Sequence, residues 1–228
     1  MTRDPARRPK VQETYQRIWL AIVRRRLRPG SRLKEEELAE LFGVSRAHIR
    51  QVLAALEHDG LVTHEPNRGA HIAEPSAEEA ADAFFARAAI EQRLVERLCL
   101  QRSPAKTARL SDHVTAERRA HDRGDADAIV RLSGDFHLLI ADLVGARFLG
   151  EVLRMLIART ALITAMYQPA PVQACGPEEH AAIVAAIATG DADRARHLMQ
   201  SHLDHLRLAL DLQGAGAATS DIRQALMG

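Results

Sequence analysis

Residues 27–62 read LRPGSRLKEEELAELFGVSRAHIRQVLAALEHDGLV, and the order of stops, caps and apolar spacings within them decides the fold of the first third of the chain. Pro29-Gly30 ends the helix that precedes it. Glu35–Phe42 reads as a short helix with Leu38 and Leu41 turned inward, and Gly43 stands where a helix end favours a residue free to adopt positive φ. Ser45 supplies an N-cap for a third helix running to about His58, with Ile49, Val52, Leu53 and Leu56 on its inner face. Asp59-Gly60 closes it. Upstream, Val11, Tyr15, Ile18, Trp19 and Ile22 share one helical face and predict a first helix over residues 11–26. Downstream, Leu61–His64 and Ala70–Ala73 flank the turn-rich Glu65-Pro66-Asn67-Arg68-Gly69, which predicts a hairpin. Three helices and a hairpin, with a tight turn between the second and third helices, describe a winged helix-turn-helix.

Pro75 and Ser76 mark a boundary, and Ser76-Ala77-Glu78-Glu79 has the form of a capping box. From there every segment reads as helix, over residues 76–101, 104–123, 125–145, 147–167, 177–189 and 191–212. The punctuation is Ser103-Pro104, Gly124-Asp125, Gly145, Pro169 to Pro177 and Gly190-Asp191. Short links predict an antiparallel six- to seven-helix bundle. The expected organisation of this mainly α chain is a basic flexible N-terminus (1–10), a winged helix domain (11–74), a helical domain (75–213) and a flexible tail (214–228).

Composition narrows the class. The 228 residues are 46% hydrophobic and 27% charged, enough for globular cores, while 4% aromatic content makes those cores aliphatic. Thirteen Gly and nine Pro are too few for the frequent turns of an all-β chain. Cys99 and Cys175 make neither a disulfide framework nor a cysteine zinc site, and they fit a reducing cytoplasm as ordinary buried or loop thiols. No apolar run approaches the roughly 18 residues of a spanning helix, and MTRDPARRPK leads into no secretory core. A secreted, membrane-spanning or disulfide-scaffold protein is therefore not expected. The net charge of +1 hides an asymmetry, because residues 1–34 carry eleven Lys or Arg against two acids. A polyanion-binding module explains that surplus, and so does a solvated basic tail.

The third helix favours the first explanation. A recognition helix enters the major groove with its N-terminal residues facing bases and phosphates. Those residues here are Ser45, Arg46, His48 and Arg50, with Arg46 and Arg50 four apart on one side. Arginine suits bidentate contact with guanine O6 and N7. At the wing tip, Arg68 beside Gly69 can reach a phosphate or the minor groove.

Residues 11–73 resemble the winged-helix domain of the GntR family of bacterial transcription regulators. The resemblance rests on the Pro-Gly before the second helix, the Leu-Ala pair, Gly43-Val44-Ser45-Arg46, Arg50 and wing Gly69. Residues 76–212 resemble the all-helical, FCD-type ligand-sensing domain of that family's FadR branch. Here the matching pieces are Arg87-Ala-Ala-Ile-Glu91, Asp135-Phe-His137, Glu179-His180, Gly190-Asp191 and Met199 ahead of His202. The resemblance implies a homodimer that binds double-stranded operator DNA and changes affinity when a small carboxylate-bearing metabolite enters the helical domain. Relatives commonly carry Thr-Pro after Ser-Arg, whereas this chain has Ala47-His48, which sets His48 among the base-facing positions.

Of eleven histidines, His137, His180 and His202 stand apart, each in the inward part of a separate predicted helix. Three imidazoles converging in a bundle can hold a divalent transition metal such as Zn²⁺ or Ni²⁺, and they can equally bind ligand oxygens directly in a metal-free pocket. In the resembling branch a carboxylate one turn before the first histidine completes the site; here that position is Ser133. Arg87 matches the family's effector-carboxylate anchor, and a salt bridge through Glu91 is the structural alternative. Arg159 is a further ligand-binding candidate. The rival class is a metal-dependent hydrolase, but the chain lacks His-Glu-x-x-His, Gly-x-Ser-x-Gly and a phosphate-cradling Gly loop.

Overall fold

The computed structural model describes residues 10–65, 68–168, 176–211 and 225–226. Most of the N-terminal segment 1–10, the tip residues Pro66 and Asn67, Cys175 and nearly all of the tail lie outside the described residues. The chain divides into two compact units, the second made of residues 76–160 and 167–214. The first comprises residues up to Pro75 and also takes in Ala161–Met166 and the last fourteen residues.

In the first unit, α1 covers Val11–Val23, α2 Glu35–Phe42 and α3 Arg46–His58. Helix α1 stops three residues before the expected Arg26. Arg25 sits at φ 57, and the amides of Arg26 and Leu27 both turn back to the Ala21 carbonyl. That tight exit draws Leu27 into the core, where it is buried with Ile18, Ile22, Ile49 and Leu53. Between α2 and α3, Gly43 takes φ 65, a left-handed conformation that closes α2 at no steric cost only for glycine. Ser45 then accepts from the His48 amide at 3.1 Å and caps α3.

The wing is a three-stranded antiparallel sheet rather than a lone hairpin. Strands β2 (Val62–Glu65) and β3 (Gly69–Ile72) pair as Val62 with Ile72 and Glu65 with Gly69. Strand β1 (Arg32–Leu33), which sequence patterning misses, pairs on the other edge of β3, giving the order β1-β3-β2. A two-residue strand is too short to show a period. The expectation of a flexible tail is corrected at Ala225 and Leu226. Both are buried, and the Leu226 carbonyl accepts from Arg17 at 3.2 Å.

After Pro75 the described residues form six long helices, of which α7 gives Ala161–Met166 to the first unit: α4 (Ala77–Leu100), α5 (Pro104–Asp122), α6 (Ala126–Leu143), α7 (Arg147–Tyr167), α8 (Pro177–Thr189) and α9 (Ala192–Leu208). The local signals place their ends. Ser76 and Glu79 form the capping box of α4, Ser103 caps α5 ahead of Pro104, and Asp125 and Asp191 cap α6 and α9. Leu94, Leu98, Leu110, Phe136, Ile140, Ile183, Ile187 and Met199 meet in one aliphatic core. Among the described residues, no helix is long and apolar enough to cross a membrane.

Candidate functional site

Helix α3 presents Arg46 and Arg50 to solvent, as their spacing requires. Both are held by acids at the start of α2. Arg50 Nε lies 2.9 Å from Glu35 Oε2, and Arg46 lies 3.9 Å from Glu35 and 3.5 Å from Glu36. Arg68 is likewise paired with Glu65, at 2.7 Å, beside Gly69 at φ 86. Ser45 is exposed but spends its hydroxyl on the α3 cap. The His48 ring is half-buried, with Nε2 3.1 Å from the hydroxyl of Thr14, a fully buried residue of α1. Thr14 thus gives the ring a hydrogen-bond partner in the protein's interior. Arg32 and Lys34, part of the basic excess of residues 1–34, line a groove of about 380 Å³ with Glu35, Arg46, His64 and Gly69.

In the helical unit His137 (α6), His180 (α8) and His202 (α9) converge as expected. All are at most 2% exposed, and one ligand atom of each lies within 4.8 Å of the others. Their outward nitrogens share a pattern that the sequence did not reveal. His137 Nδ1 bonds to Glu91 Oε2. His180 Nδ1 lies 2.9 and 3.0 Å from the two oxygens of Glu117, and His202 Nδ1 lies 2.8 Å from Glu179 Oε2. Burial pushes the Glu91 and Glu117 carboxyls up, but their cationic and imidazole partners outweigh it and hold each at about 2. The His202 hydrogen bond, working against burial, brings Glu179 to about 2. Ionised carboxylates only accept, so each Nδ1 carries the donated hydrogen. Burial also pushes the His137 ring down to about 3, against the pull of Glu91, so it is neutral.

Each ring meets its carboxylate through Nδ1, which leaves its Nε2 for the interior of the cluster. His137 Nε2 and His202 Nε2 are 3.3 Å apart, and His180 Nε2 is buried with no hydrogen-bond partner among the described residues. A buried imidazole nitrogen without a partner is costly, and a cation among the three rings would satisfy it. A carboxylate behind each imidazole is the arrangement that orients histidine ligands and raises their basicity. Phe136 stacks on the His180 ring, centroids 3.9 Å apart, and fixes its plane.

Arg87 is buried on α4, and the two alternatives for it are reconciled in part. Its Nε donates to Glu91 Oε1 at 2.8 Å and its Nη1 to Thr160 Oγ1 at 2.9 Å, so the Glu91 pairing is real. Its Nη2 makes no hydrogen bond among the described residues. Arg159 is half-buried and reaches the capping-box carboxylate of Glu79 at 2.7 Å. Ser133 is half-buried on α6, one turn before His137.

The comparisons bear on both units. Residues 82–205 match the family described as FCD domain, and residues 10–72 match bacterial regulatory proteins of the gntR family. This chain belongs to the GntR family and carries an FCD domain. The YdhC HTH-type transcriptional regulator of Bacillus subtilis (strain 168) is 30% identical over 64% of this chain and 65% of its own length. The transcriptional repressor RspR of Escherichia coli (strain K12) is 25% identical over 87% of each chain. A GntR regulator from Rhodococcus sp. RHA1 shares the fold, with a TM-score of 0.71 at 23% identity over 87% of this chain and 95% of that one. The relatives named are regulators, and the chain is a DNA-binding transcription regulator.

Proposed function

We propose that this GntR regulator is a cytoplasmic homodimer whose operator affinity is set by a small carboxylate-bearing metabolite in its helical domain, beside a divalent metal held by His137, His180 and His202. The observation that carries the reading is the convergence of three buried imidazoles, each anchored to a carboxylate through Nδ1, with His180 Nε2 lacking any hydrogen-bond partner among the described residues. The donor set suits a borderline cation such as Zn²⁺ or Ni²⁺, and three histidines leave coordination positions open. A bound ion supplies a Lewis-acid contact for a carboxylate oxygen. Arg87 keeps Nη2 for the same anion, held in place by Thr160 and Glu91.

On the DNA side, Arg46 and Arg50 read the major groove, Arg68 and the backbone at Gly69 engage the wing side, and Ser45 sets the N-terminus of α3 against the phosphates. His48 contributes by locking α3 onto Thr14 of α1 rather than by reading bases.

Elemental analysis of gently purified protein tests the metal. Wild type carries close to one ion per chain, while His180→Ala and His202→Ala carry little. Ser133→Asp tightens the ion, because it adds a carboxylate on the His137 face. Metal-free wild type that gains no thermal stability from Zn²⁺ or Ni²⁺ defeats the reading. Light scattering on the full chain checks the dimer, and a gel shift with the duplex upstream of its own gene checks the operator.

A further inference from the structure

Among the described residues, Glu91 is the one carboxylate of the three that a histidine shares with an arginine. Its Oε1 takes the Arg87 Nε hydrogen bond at 2.8 Å, and its Oε2 takes His137 Nδ1. Side-chain exposure is 5% for Arg87, 1% for Glu91 and 2% for His137, so the three groups interact away from bulk solvent. Glu117 and Glu179, in contrast, face other histidines, His113 and His205, on their second sides. Of the three dyads, only that of His137 is tied to a permanent cation. The Arg87 guanidinium is oriented by Thr160, and its Nη2 makes no hydrogen bond among the described residues.

Negative charge on Glu91 therefore has two claimants. What Arg87 draws towards Oε1 is withheld from His137, and the basicity of a ligating imidazole follows the carboxylate behind it. Resting on the metal reading above, we propose that Glu91 is a positioning residue that couples the two halves of the sensing site: an anion engaging Arg87 relaxes its claim on Glu91, strengthens the hold of Glu91 on His137, and tightens the ion at the three histidines. Linkage makes the effect reciprocal, so the ion raises the affinity for the anion by the same factor. The Arg87 anchor and the histidine centre are thus one responsive unit.

The test is Zn²⁺ affinity of the full chain, stripped of metal and titrated against a chromophoric chelator. Glu91→Gln weakens Zn²⁺ by roughly 10–100-fold, the range found when an outer-shell partner of a ligating histidine is lost. Arg87→Met mimics neutralisation of the guanidinium and tightens Zn²⁺ several-fold. The double variant Arg87→Met, Glu91→Gln removes the ion pair as a unit, leaves no unpaired buried charge, and matches Glu91→Gln alone. On the unmutated chain, which carries no folding risk, acetate as the smallest carboxylate tightens Zn²⁺, and it does not do so in Glu91→Gln. The Co²⁺ absorption spectrum of Glu91→Gln shifts, which a purely structural role for Glu91 would not cause. A wild type that takes no Zn²⁺ overturns the metal reading and this coupling together. A wild type that binds Zn²⁺ while Glu91→Gln binds it equally well overturns the coupling alone. So does an equal gain from Arg87→Met in both backgrounds, or no response to either Arg87→Met or acetate.

Discussion

The recognition face and the histidine cluster use the same chemistry, a nitrogen group held by a carboxylate, at opposite levels of burial. Arg50 and Arg46 are 63% and 56% exposed where they meet Glu35, whereas His180 and Glu117 are 1% and 4% exposed. Exposed ion pairs contribute on the order of 0–1 kcal/mol, because water and salt compete for both partners. Such a pair releases its arginine to a phosphate or a guanine at little cost. A buried pair behaves differently, since removing one partner leaves the other desolvated at a cost of about 3–5 kcal/mol. On the proposed function the difference has a use: side chains that would change partners on DNA are tethered loosely, and those that would stay aimed at one point are tethered tightly.

The largest effect expected from breaking this contrast is on the buried side. Phe136 is fully buried and stacks on His180, so Phe136→Ala removes core volume and lets the ring tilt. It should cost about 3–5 kcal/mol in urea unfolding, the range for large-to-small aromatic substitutions. A loss under about 1 kcal/mol would show that the cluster is not rigidly packed.

Next in size are the carboxylates behind the histidines. Glu117→Gln should weaken Zn²⁺ by roughly 10–100-fold, as loss of an outer-shell partner does. Glu179→Gln should cost less, because Glu179 is 34% exposed and water can replace it at His202 Nδ1. Equal losses in a chelator competition would contradict the ordering by burial.

These carboxylates also mark where sequence reading stopped. Helix ends were legible because Ser45, Ser76, Ser103, Gly43 and Gly190 act within one turn of themselves. The three histidines were legible as polar residues on apolar stripes. Glu117 carried the same signal, standing three residues after Val114 and seven after Leu110 on the buried face of α5. Its partner lies 63 positions away, however, and no local pattern joins them. The partner of His48 was hidden for the same reason, since Thr14 is 34 residues distant and a buried threonine among polar neighbours leaves no periodic trace. The Glu79 partner of Arg159 was hidden because an apolar surrounding sequence does not show which way a long side chain leaves the helix.

On the exposed side, Arg50→Ala should reduce operator affinity by about 1–3 kcal/mol if the guanidinium reads a base, with little change in folding stability. Arg68→Ala should weaken all duplexes alike and lower the slope of log affinity against log salt by about one phosphate contact. Gel shifts across a salt series separate the two patterns. Identical behaviour of both variants would remove the distinction between base-reading and phosphate-anchoring arginines.

The smallest effect belongs to the acids at the head of α2, and its sign is the informative part. Glu36 is 85% exposed and 3.5 Å from Arg46, so Glu36→Gln should leave stability within about 0.5 kcal/mol of wild type. Its carboxylate nevertheless stands on the face that must approach a polyanion, and it claims a guanidinium that DNA also needs. Removing the charge relieves repulsion with phosphate and frees Arg46, and both effects strengthen binding. The gain should be a few-fold at low salt and should vanish towards high salt, because exposed charges are screened beyond roughly 10 Å at 0.1 M. Glu35 is the more exacting case. It is held 2.9 Å from Arg50, so Glu35→Gln loses an orienting partner as it loses a repulsive charge. The two variants should therefore part company, with Glu36→Gln binding more tightly and more steeply with salt, and Glu35→Gln gaining on random duplex but not on operator. Equal gains for both on both duplexes would mean that the acids only repel DNA and that the loose tether has no part in aiming the arginines.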